Sequence, residues 1–166
     1  MNNIVLIGMP TAGKSTVGVI LAKVKGYDFI DSDLIIQNQE NRLLKDIMVQ
    51  EGIEGFISIE NRVNASLCVN HSIIATGGSV VYGHEAMEHL KEIGTVVYLK
   101  LNYETIQERL GDTKQRGVVL RDNKTLFQLY QERCPLYESY ADVIIEAEHL
   151  GVEELVVKIL EQLDSL

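Results

Sequence analysis

Cysteine, long apolar runs and positive charge are all scarce in this chain. The two cysteines, Cys68 and Cys134, stand in no short pairing motif, which favours reduced, packed thiols over a disulfide framework. No stretch approaches the roughly 18 apolar residues of a membrane-spanning helix. The N-terminus also lacks the charged and apolar regions of a secretory signal. We therefore expect a cytoplasmic protein that is not inserted in a membrane.

The acidic balance excludes two classes of partner. The formal net charge is −9 and the pI is near 4.9, whereas nucleic acids and anionic membranes are bound through basic faces. A phosphate ligand stays compatible, because a few backbone N–H groups and one lysine can hold it inside an acidic protein. A metalloenzyme is disfavoured as well, because the histidines are scattered without ligand spacing. They are His71, His84, His89 and His149.

The length of 166 residues suits a single domain, 1–166, and the apolar pattern indicates its class. Short apolar runs rich in β-branched residues are continuous rather than alternating, as in strands covered on both faces. These runs are Ile4–Ile7, Phe29-Ile30, Ile73–Thr76, Val96–Leu99 and Val143–Ile145. Between them lie stretches with apolar residues at helical spacing, such as Val17, Ile20, Leu21 and Val24. Strands that alternate with helices predict a mainly parallel sheet with helices on both sides.

Two stretches interrupt this alternation. Residues 33–70 form a long helical insertion between the second and third predicted strands. Residues 112–122 are polar and charged, and they include Arg116 and Gly117. This second stretch is compatible with a solvated connection or with a mobile cover over a phosphate site.

The segment Gly8–Ser15 matches the pattern G-x-x-x-x-G-K-[ST], with a predicted strand before it and a helical stripe after it. Glycines let the backbone wrap around phosphate, and successive N–H groups form an anion-binding nest. Lys14 can reach the β- and γ-phosphates, and the Ser15 hydroxyl can ligate Mg²⁺. We therefore predict that this loop binds the phosphates of a nucleotide together with Mg²⁺. The predicted nucleotide contacts are Gly8, Pro10, Thr11, Ala12, Gly13, Lys14, Ser15 and Thr16. The motif alone does not separate a kinase from a GTPase or a motor.

Further candidate residues follow the other strands. Asp31 and Asp33 end the second predicted strand, where they could serve Mg²⁺ and a substrate hydroxyl, or Asp33 could simply cap the next helix. After the third strand, Gly77 and Gly78 permit close approach of a ligand, or form a turn. Arg133 lies near the end of a predicted helix, where a lone arginine is usually a surface charge.

Taken together, these segments resemble the shikimate kinase family over nearly the whole chain. The order and spacing of the matching segments agree, which makes the set far more specific than any one motif. The segments are the phosphate loop through Ser15-Thr16, Phe29–Asp33, Glu51-Gly52 with Phe56 and Glu60, Ala75–Gly78, Val96–Leu99, Arg116, and Arg133–Tyr137 with Ala141-Asp142.

The resemblance implies a fold and an activity. The fold would be a three-layer α/β/α domain with a five-stranded parallel sheet in the order 2-3-1-4-5, similar to nucleoside monophosphate kinases. An acceptor-binding region would occupy residues 33–70, and a lid residues 112–122. The activity would be ATP-dependent transfer to a hydroxyl of a small metabolite, from shikimate to shikimate 3-phosphate, in a protein we expect to be a monomer.

The resemblance also implies roles for single residues. The implied catalytic residues are Lys14, Asp33 as candidate base, and Arg116, which would swing from the lid onto the transferring phosphate. Asp31 would support Mg²⁺ through water together with Ser15, and Arg109 would lie against adenine. The implied acceptor contacts are Asp33, Gly77, Gly78, Ser79 and Arg133, the last with the acceptor carboxylate.

Three positions depart from the family pattern. Ser79 stands where the family has a third glycine, Gly117 replaces a proline, and Ile57 replaces an arginine that binds the acceptor carboxylate. Loss of one charge-assisted contact costs about 1.5–3 kcal/mol. Arg62 is no clear replacement, because five residues along a helix it points about 140° away. Either Arg133 alone holds shikimate weakly, or the acceptor is another small polyol or hydroxy acid. A third alternative is a nucleotide-binding module without catalysis.

Overall fold

The computed structural model describes residues 2–111 and 124–166. Within these residues, strands and helices alternate along most of the chain. The strands are β1 (Asn3–Ile7), β2 (Asp28–Asp31), β3 (Ser72–Ala75), β4 (Gly94–Lys100) and β5 (Val143–Glu146). The helices are α1 (Lys14–Lys25), α2 (Ser32–Glu40), α3 (Leu44–Ala65), α4 (His84–Ile93), α5 (Tyr103–Gly111), α6 (Leu126–Tyr140) and α7 (Val152–Leu163). A 3-10 turn covers Val80–Tyr82.

The five strands form one parallel sheet in the order β2-β3-β1-β4-β5, with helices on both sides. At the centre, Val5 of β1 pairs with Ile74 on one side and with Val96 on the other. This architecture confirms the predicted fold class and strand order. Each predicted strand is found within one residue or two of its predicted ends.

The core lies on both faces of the sheet. All five residues of β1 are buried, which explains why its sequence is continuously apolar. Helix α1 packs closely on β2 through Gly18. A Cβ added to Gly18 would lie only 2.7 Å from the Phe29 ring. The absence of a side chain there therefore sets how near α1 and β2 approach.

The insertion between β2 and β3 consists of α2 and α3 with its own small apolar cluster. Its buried members are Ile36, Ile47, Phe56 and Val63. Gly52 interrupts the helical backbone of α3 with φ 71° and ψ 178°, so the helix is kinked there. The kink divides α3 into a short first part and a longer second part that carries Phe56.

The phosphate loop and its neighbours leave the sheet at one edge. The loop follows β1, Asp31 ends β2, and Gly77 comes shortly after β3. The register aligns these exits, because Ala75 pairs with Leu6 on one side and with Asp31 on the other. Ligands of open parallel sheets bind at this carboxyl-terminal edge.

Two predictions about absent features can be compared with the described residues. None of the helices in residues 2–111 and 124–166 is long and apolar enough to cross a membrane. Both cysteines are free thiols, but only Cys134 is partly packed, whereas Cys68 is exposed.

Candidate active site

The phosphate loop has a backbone that requires glycine at two positions. Gly8 has φ 150° and Gly13 has φ 92°, and Thr11 also takes a positive φ of 68°. A Cβ at Gly8 would lie 2.8 Å from the Leu99 carbonyl oxygen, so no larger residue fits. Gly13 precedes α1 as its N-cap. The N–H groups of the first helical turn therefore point towards the loop, where they form an anion-binding site.

Lys14 lies folded against the loop that carries it. Its Nζ donates hydrogen bonds to the carbonyl oxygens of Gly8, at 2.7 Å, and Met9, at 2.9 Å. Burial lowers the pKa of Lys14 to about 8, although the nearby Asp33 carboxylate opposes this change. The ammonium group is therefore held at the loop by carbonyl oxygens, and the Asp33, Glu60 and Asp31 carboxylates lie near enough to favour its charged form.

Ser15 and Asp31 bring two oxygen atoms together beside the loop. The Ser15 hydroxyl donates to Asp31 Oδ2 at 3.2 Å. The other oxygen, Oδ1, accepts from the backbone N–H of Asp33 at 3.0 Å and so caps α2. The reading of Asp33 as the helix cap is therefore wrong, because Asp31 is the N-cap and its side chain accepts from the N–H of Asp33 itself. The Asp33 side chain is left to face the neighbouring pocket.

Gly77 and Gly78 lie at the centre of this pocket. A Cβ at Gly77 would lie 2.6 Å from Glu60 Oε2 and 3.0 Å from Asp33 Oδ1. A Cβ at Gly78 would lie 3.2 Å from Arg133 Nη1. Carboxyl groups thus face one glycine and a guanidinium faces the next. We call these five residues the acceptor pocket.

The phosphate loop touches the acceptor pocket directly. A Cβ at Gly78 would also lie 2.8 Å from Pro10 Cδ. Within the pocket the pKa of Asp33 is raised to about 6, because burial and then the Asp31 charge raise it more than Lys14 lowers it. A carboxyl group that titrates near neutrality can accept a proton from a hydroxyl, as general-base chemistry requires.

Arg133 is almost completely buried, with 1% of its surface exposed. The interpretation of an arginine at a helix end as a surface charge is therefore wrong here, because α6 turns this face towards the sheet edge. Its Nε donates to Tyr82 Oη at 3.2 Å, and its guanidinium lies over the Tyr82 ring. Tyr137, one turn further along α6, donates to the Gly78 carbonyl oxygen at 2.5 Å. These contacts fix Arg133 against the diglycine.

The remaining predicted site residues occupy different places. Arg109, in the last turn of α5, donates from Nη1 to the Thr11 carbonyl oxygen at 2.9 Å, which places it on the phosphate loop. Thr16 is exposed on α1, next to Ser15. Arg116 and the proposed lid, 112–122, lie outside the described residues.

The sequence analysis named Glu60 and Tyr137 among the matching segments without giving either a role, and it missed Tyr82. Glu60 lies four residues after Phe56 and three before Val63, so it occupies the apolar stripe of α3. A carboxyl group on the core-facing side of a helix can indicate a functional site in a sequence, because buried carboxyl groups need a specific partner or function. The tyrosines carry no comparable signal, since their contacts depend on tertiary packing.

Comparison with known proteins gives a consistent result. The family model described as shikimate kinase matches residues 10–164. The chain belongs to the shikimate kinase family. A shikimate kinase from Thermodesulfovibrio yellowstonii is 36% identical, with 100% of this chain and 97% of that protein covered. One from Francisella tularensis subsp. novicida is 39% identical, covering 95% and 92% of the two chains. Membership of this family makes the protein an ATP-dependent kinase.

Solved structures of the family have the same fold. Shikimate kinase from Acinetobacter baumannii in complex with shikimate superposes with a TM-score of 0.88 at 34% identity, covering 99% of this chain and 94% of that one. Shikimate kinase from Aquifex aeolicus superposes with a TM-score of 0.83 at 31% identity, covering 98% and 96%. The fold and the family therefore agree.

Ile57, which replaces the arginine of the family pattern, packs within the insertion formed by α2 and α3. The Ile57 side chain is half-buried and packs against the apolar cluster between α2 and α3. Arg62 does not take over the missing charge, because it forms an ion pair with Glu40 on α2 and keeps 59% of its side chain exposed. Among the described residues near the diglycine, Arg133 supplies the guanidinium.

Proposed function

We propose that this protein transfers the γ-phosphoryl group of ATP to a hydroxyl of shikimate, forming shikimate 3-phosphate. The observation that carries this proposal is the contact between two sites: the phosphate loop with Lys14 meets the acceptor pocket where Pro10 touches Gly78. Phosphoryl transfer depends mainly on positioning and on charge neutralisation, and this arrangement brings both to one place. The family relative solved with shikimate supports the choice of acceptor.

The nucleotide would bind with Mg²⁺ beside Ser15 and Asp31. Hydroxyl and carboxylate oxygens are the ligand types that Mg²⁺ prefers, and these two side chains already lie 3.2 Å apart. When bound, the ion would supply positive charge next to the phosphate oxygens. The first turn of α1 and Lys14 would hold the phosphates, and Arg109 would stand beside them at Thr11.

The acceptor would lie over the diglycine. Asp33 would accept a hydrogen bond from the reacting hydroxyl and take its proton, and its pKa of about 6 suits that task near neutral pH. The buried Arg133 would pair with the acceptor carboxylate from the opposite side. We further propose that Arg116 reaches the transferring phosphate, on the basis of its match to the family motif.

A second candidate function follows from Ile57. Ile57 packs against an apolar cluster and offers no charge to the pocket. Among the described residues, Arg133 alone would then hold an acceptor carboxylate. A neutral acceptor, such as a polyol, has no carboxylate to pair with a second arginine. The replacement of that arginine by Ile57 would therefore weaken its binding less than it weakens the binding of shikimate. Monomeric state and cytoplasmic location stay predictions.

A coupled ADP-release assay tests the proposal. Shikimate and a panel of small hydroxy acids and polyols would be offered to the wild type, to Lys14→Ala and to Lys23→Ala. Lys23 is exposed on the same helix and serves as the matched control. We expect shikimate turnover in the wild type and in Lys23→Ala, and loss of about 10³-fold or more in Lys14→Ala.

The possible results of this assay separate the candidate functions. Undiminished turnover in Lys14→Ala would refute the assignment of the phosphate loop. Turnover of another acceptor, but not of shikimate, would favour the second candidate. Tight ATP binding without turnover of any acceptor would favour a module that binds nucleotide without catalysis.

A further inference from the structure

Ser79 forms a buried hydrogen bond that holds a carboxyl group. Its hydroxyl donates to Glu60 Oε1 at 2.6 Å, and the two residues are only 3% and 1% exposed. Ser79 follows the diglycine directly and begins the 3-10 turn, whereas Glu60 belongs to α3. The serine hydroxyl is therefore engaged with Glu60 and fixes the orientation of its carboxyl group.

The second oxygen of Glu60 is aimed into the acceptor pocket. Glu60 Oε2 has no hydrogen-bond partner among residues 2–111 and 124–166, although it is buried. It lies 2.6 Å from the Cβ position of Gly77, and Asp33 Oδ1 lies 3.0 Å from that same point. A buried polar atom without a partner is costly unless a ligand satisfies it. Two carboxyl oxygens around one point suit two hydroxyl groups on neighbouring carbons.

Several ionisable groups face Glu60 from the surrounding elements. The pKa of Glu60 is raised to about 7, because burial, helped by the Asp33 charge, outweighs the Ser79 hydrogen bond, Arg133 and Lys14, which lower it. Nearby, the Tyr82 hydroxyl of the 3-10 turn accepts a hydrogen bond from Arg133 Nε. On the α4 side, Glu85 accepts a hydrogen bond from the Asn61 side-chain amide. Glu60 is thus a neutral carboxylic acid in weakly acidic solution and a carboxylate in weakly basic solution.

We propose that Glu60, positioned by Ser79, is a specificity-determining residue: as a neutral acid its Oε2–H donates to one hydroxyl oxygen of the acceptor, next to the hydroxyl that Asp33 accepts. The pocket therefore selects acceptors with hydroxyls on adjacent carbons. Ionisation of Glu60 removes the donor, so acceptor affinity falls as the pH rises through neutrality. This inference rests on the proposed function, because it concerns the same pocket and acceptor.

The pH dependence of KM for shikimate tests this role. KM and kcat would be measured at saturating ATP and Mg²⁺ from about pH 6 to about pH 8.5. In the wild type we expect KM to rise about tenfold over this range, the value of one good hydrogen bond. Glu60→Gln keeps an N–H donor at every pH, so its KM should vary by less than about twofold. Glu92→Gln, exposed on α4, should follow the wild type.

Ser79→Ala tests the positioning role separately. Because the Ser79 hydroxyl favours the ionised form of Glu60, its removal should shift the rise in KM to higher pH. A merely structural serine would raise KM evenly at every pH. Circular dichroism would establish that Ser79→Ala is folded; if it is not, the result with Glu60→Gln decides.

The outcomes separate this inference from the proposed function. A wild-type KM that stays flat or falls with rising pH would overturn the role of Glu60 while shikimate kinase activity stands. So would a Glu60→Gln enzyme that keeps the wild-type rise. If the wild type phosphorylates no shikimate at any pH, both proposals fail together.

Discussion

Replacing Glu60 with glutamine should stabilise the ligand-free protein, but only above weakly acidic pH. Glu60 is fully buried, and burial raises its pKa from 4.5 to about 7. A carboxyl group whose pKa is raised on folding contributes stability below its unfolded pKa, and that contribution is lost as the pH rises through its folded pKa. The change in pKa corresponds to about 3 kcal/mol of unfolding free energy. Glutamine cannot ionise and can still accept the Ser79 hydrogen bond, so it avoids this loss.

Urea unfolding followed by circular dichroism would measure the effect. The difference in unfolding free energy between Glu60→Gln and the wild type should grow by about 2–3 kcal/mol between about pH 5 and about pH 8.5. Most of the change should fall between pH 5 and pH 7.5, which spans the titration of Glu60. Glu92→Gln, which alters an exposed glutamate of α4, should differ from the wild type by a constant amount. Equal pH dependence in wild type and Glu60→Gln would refute the reasoning that burial keeps this carboxyl group neutral.

Three further predictions concern the pocket and its support. Gly77→Ala would place a methyl group 2.6 Å from Glu60 Oε2, so KM for shikimate should rise about tenfold or more while ATP affinity, by calorimetry, stays within about twofold. Ile57→Arg should tighten shikimate binding by about tenfold, and an unchanged calorimetric affinity would count against our interpretation of that position. Asn61 accepts from the Ala86 N–H at 2.9 Å at the start of α4, so Asn61→Ala should lower the unfolding free energy by about 1 kcal/mol in urea titrations.

Much of the fold could be predicted from local patterns. Apolar runs located each strand, and for β1, β3 and β4 the reason is that a parallel sheet covered on both faces leaves little polar alternation. The edge strand β5 differs, because its burial alternates and Ile144 is exposed. The strand order, in contrast, came from the family resemblance and not from periodicity. Helix α4 was missed, although Ala86, Met87 and Leu90 already have helical spacing and are buried. Most residues of α4 are polar, so its apolar stripe is narrow, although its spacing is regular.

The site was predicted in two ways: the phosphate loop from one contiguous motif, and Asp33, Gly77, Gly78 and Arg133 from a resemblance spread over separate segments. Lys14 and Ser15 follow from the phosphate loop, and both lie at the expected sheet edge. The buried state of Arg133 could not be predicted, because it depends on how α6 packs against the 3-10 turn. The pairing of Ser79 with Glu60 joins residues 19 positions apart, so no local pattern could reveal it.

The close contact of α1 with β2 has a consequence for mutational studies. Gly18 lies one helical turn after Ser15, and Phe29, which it meets, lies two residues before Asp31. Any side chain at position 18 would wedge these two elements apart and widen the 3.2 Å gap between the hydroxyl and the carboxylate. The spacing of the two oxygens proposed to bind Mg²⁺ thus depends on the missing side chain of Gly18. A mutational survey restricted to polar residues would therefore overlook Gly18, although this position sets the distance between Ser15 and Asp31.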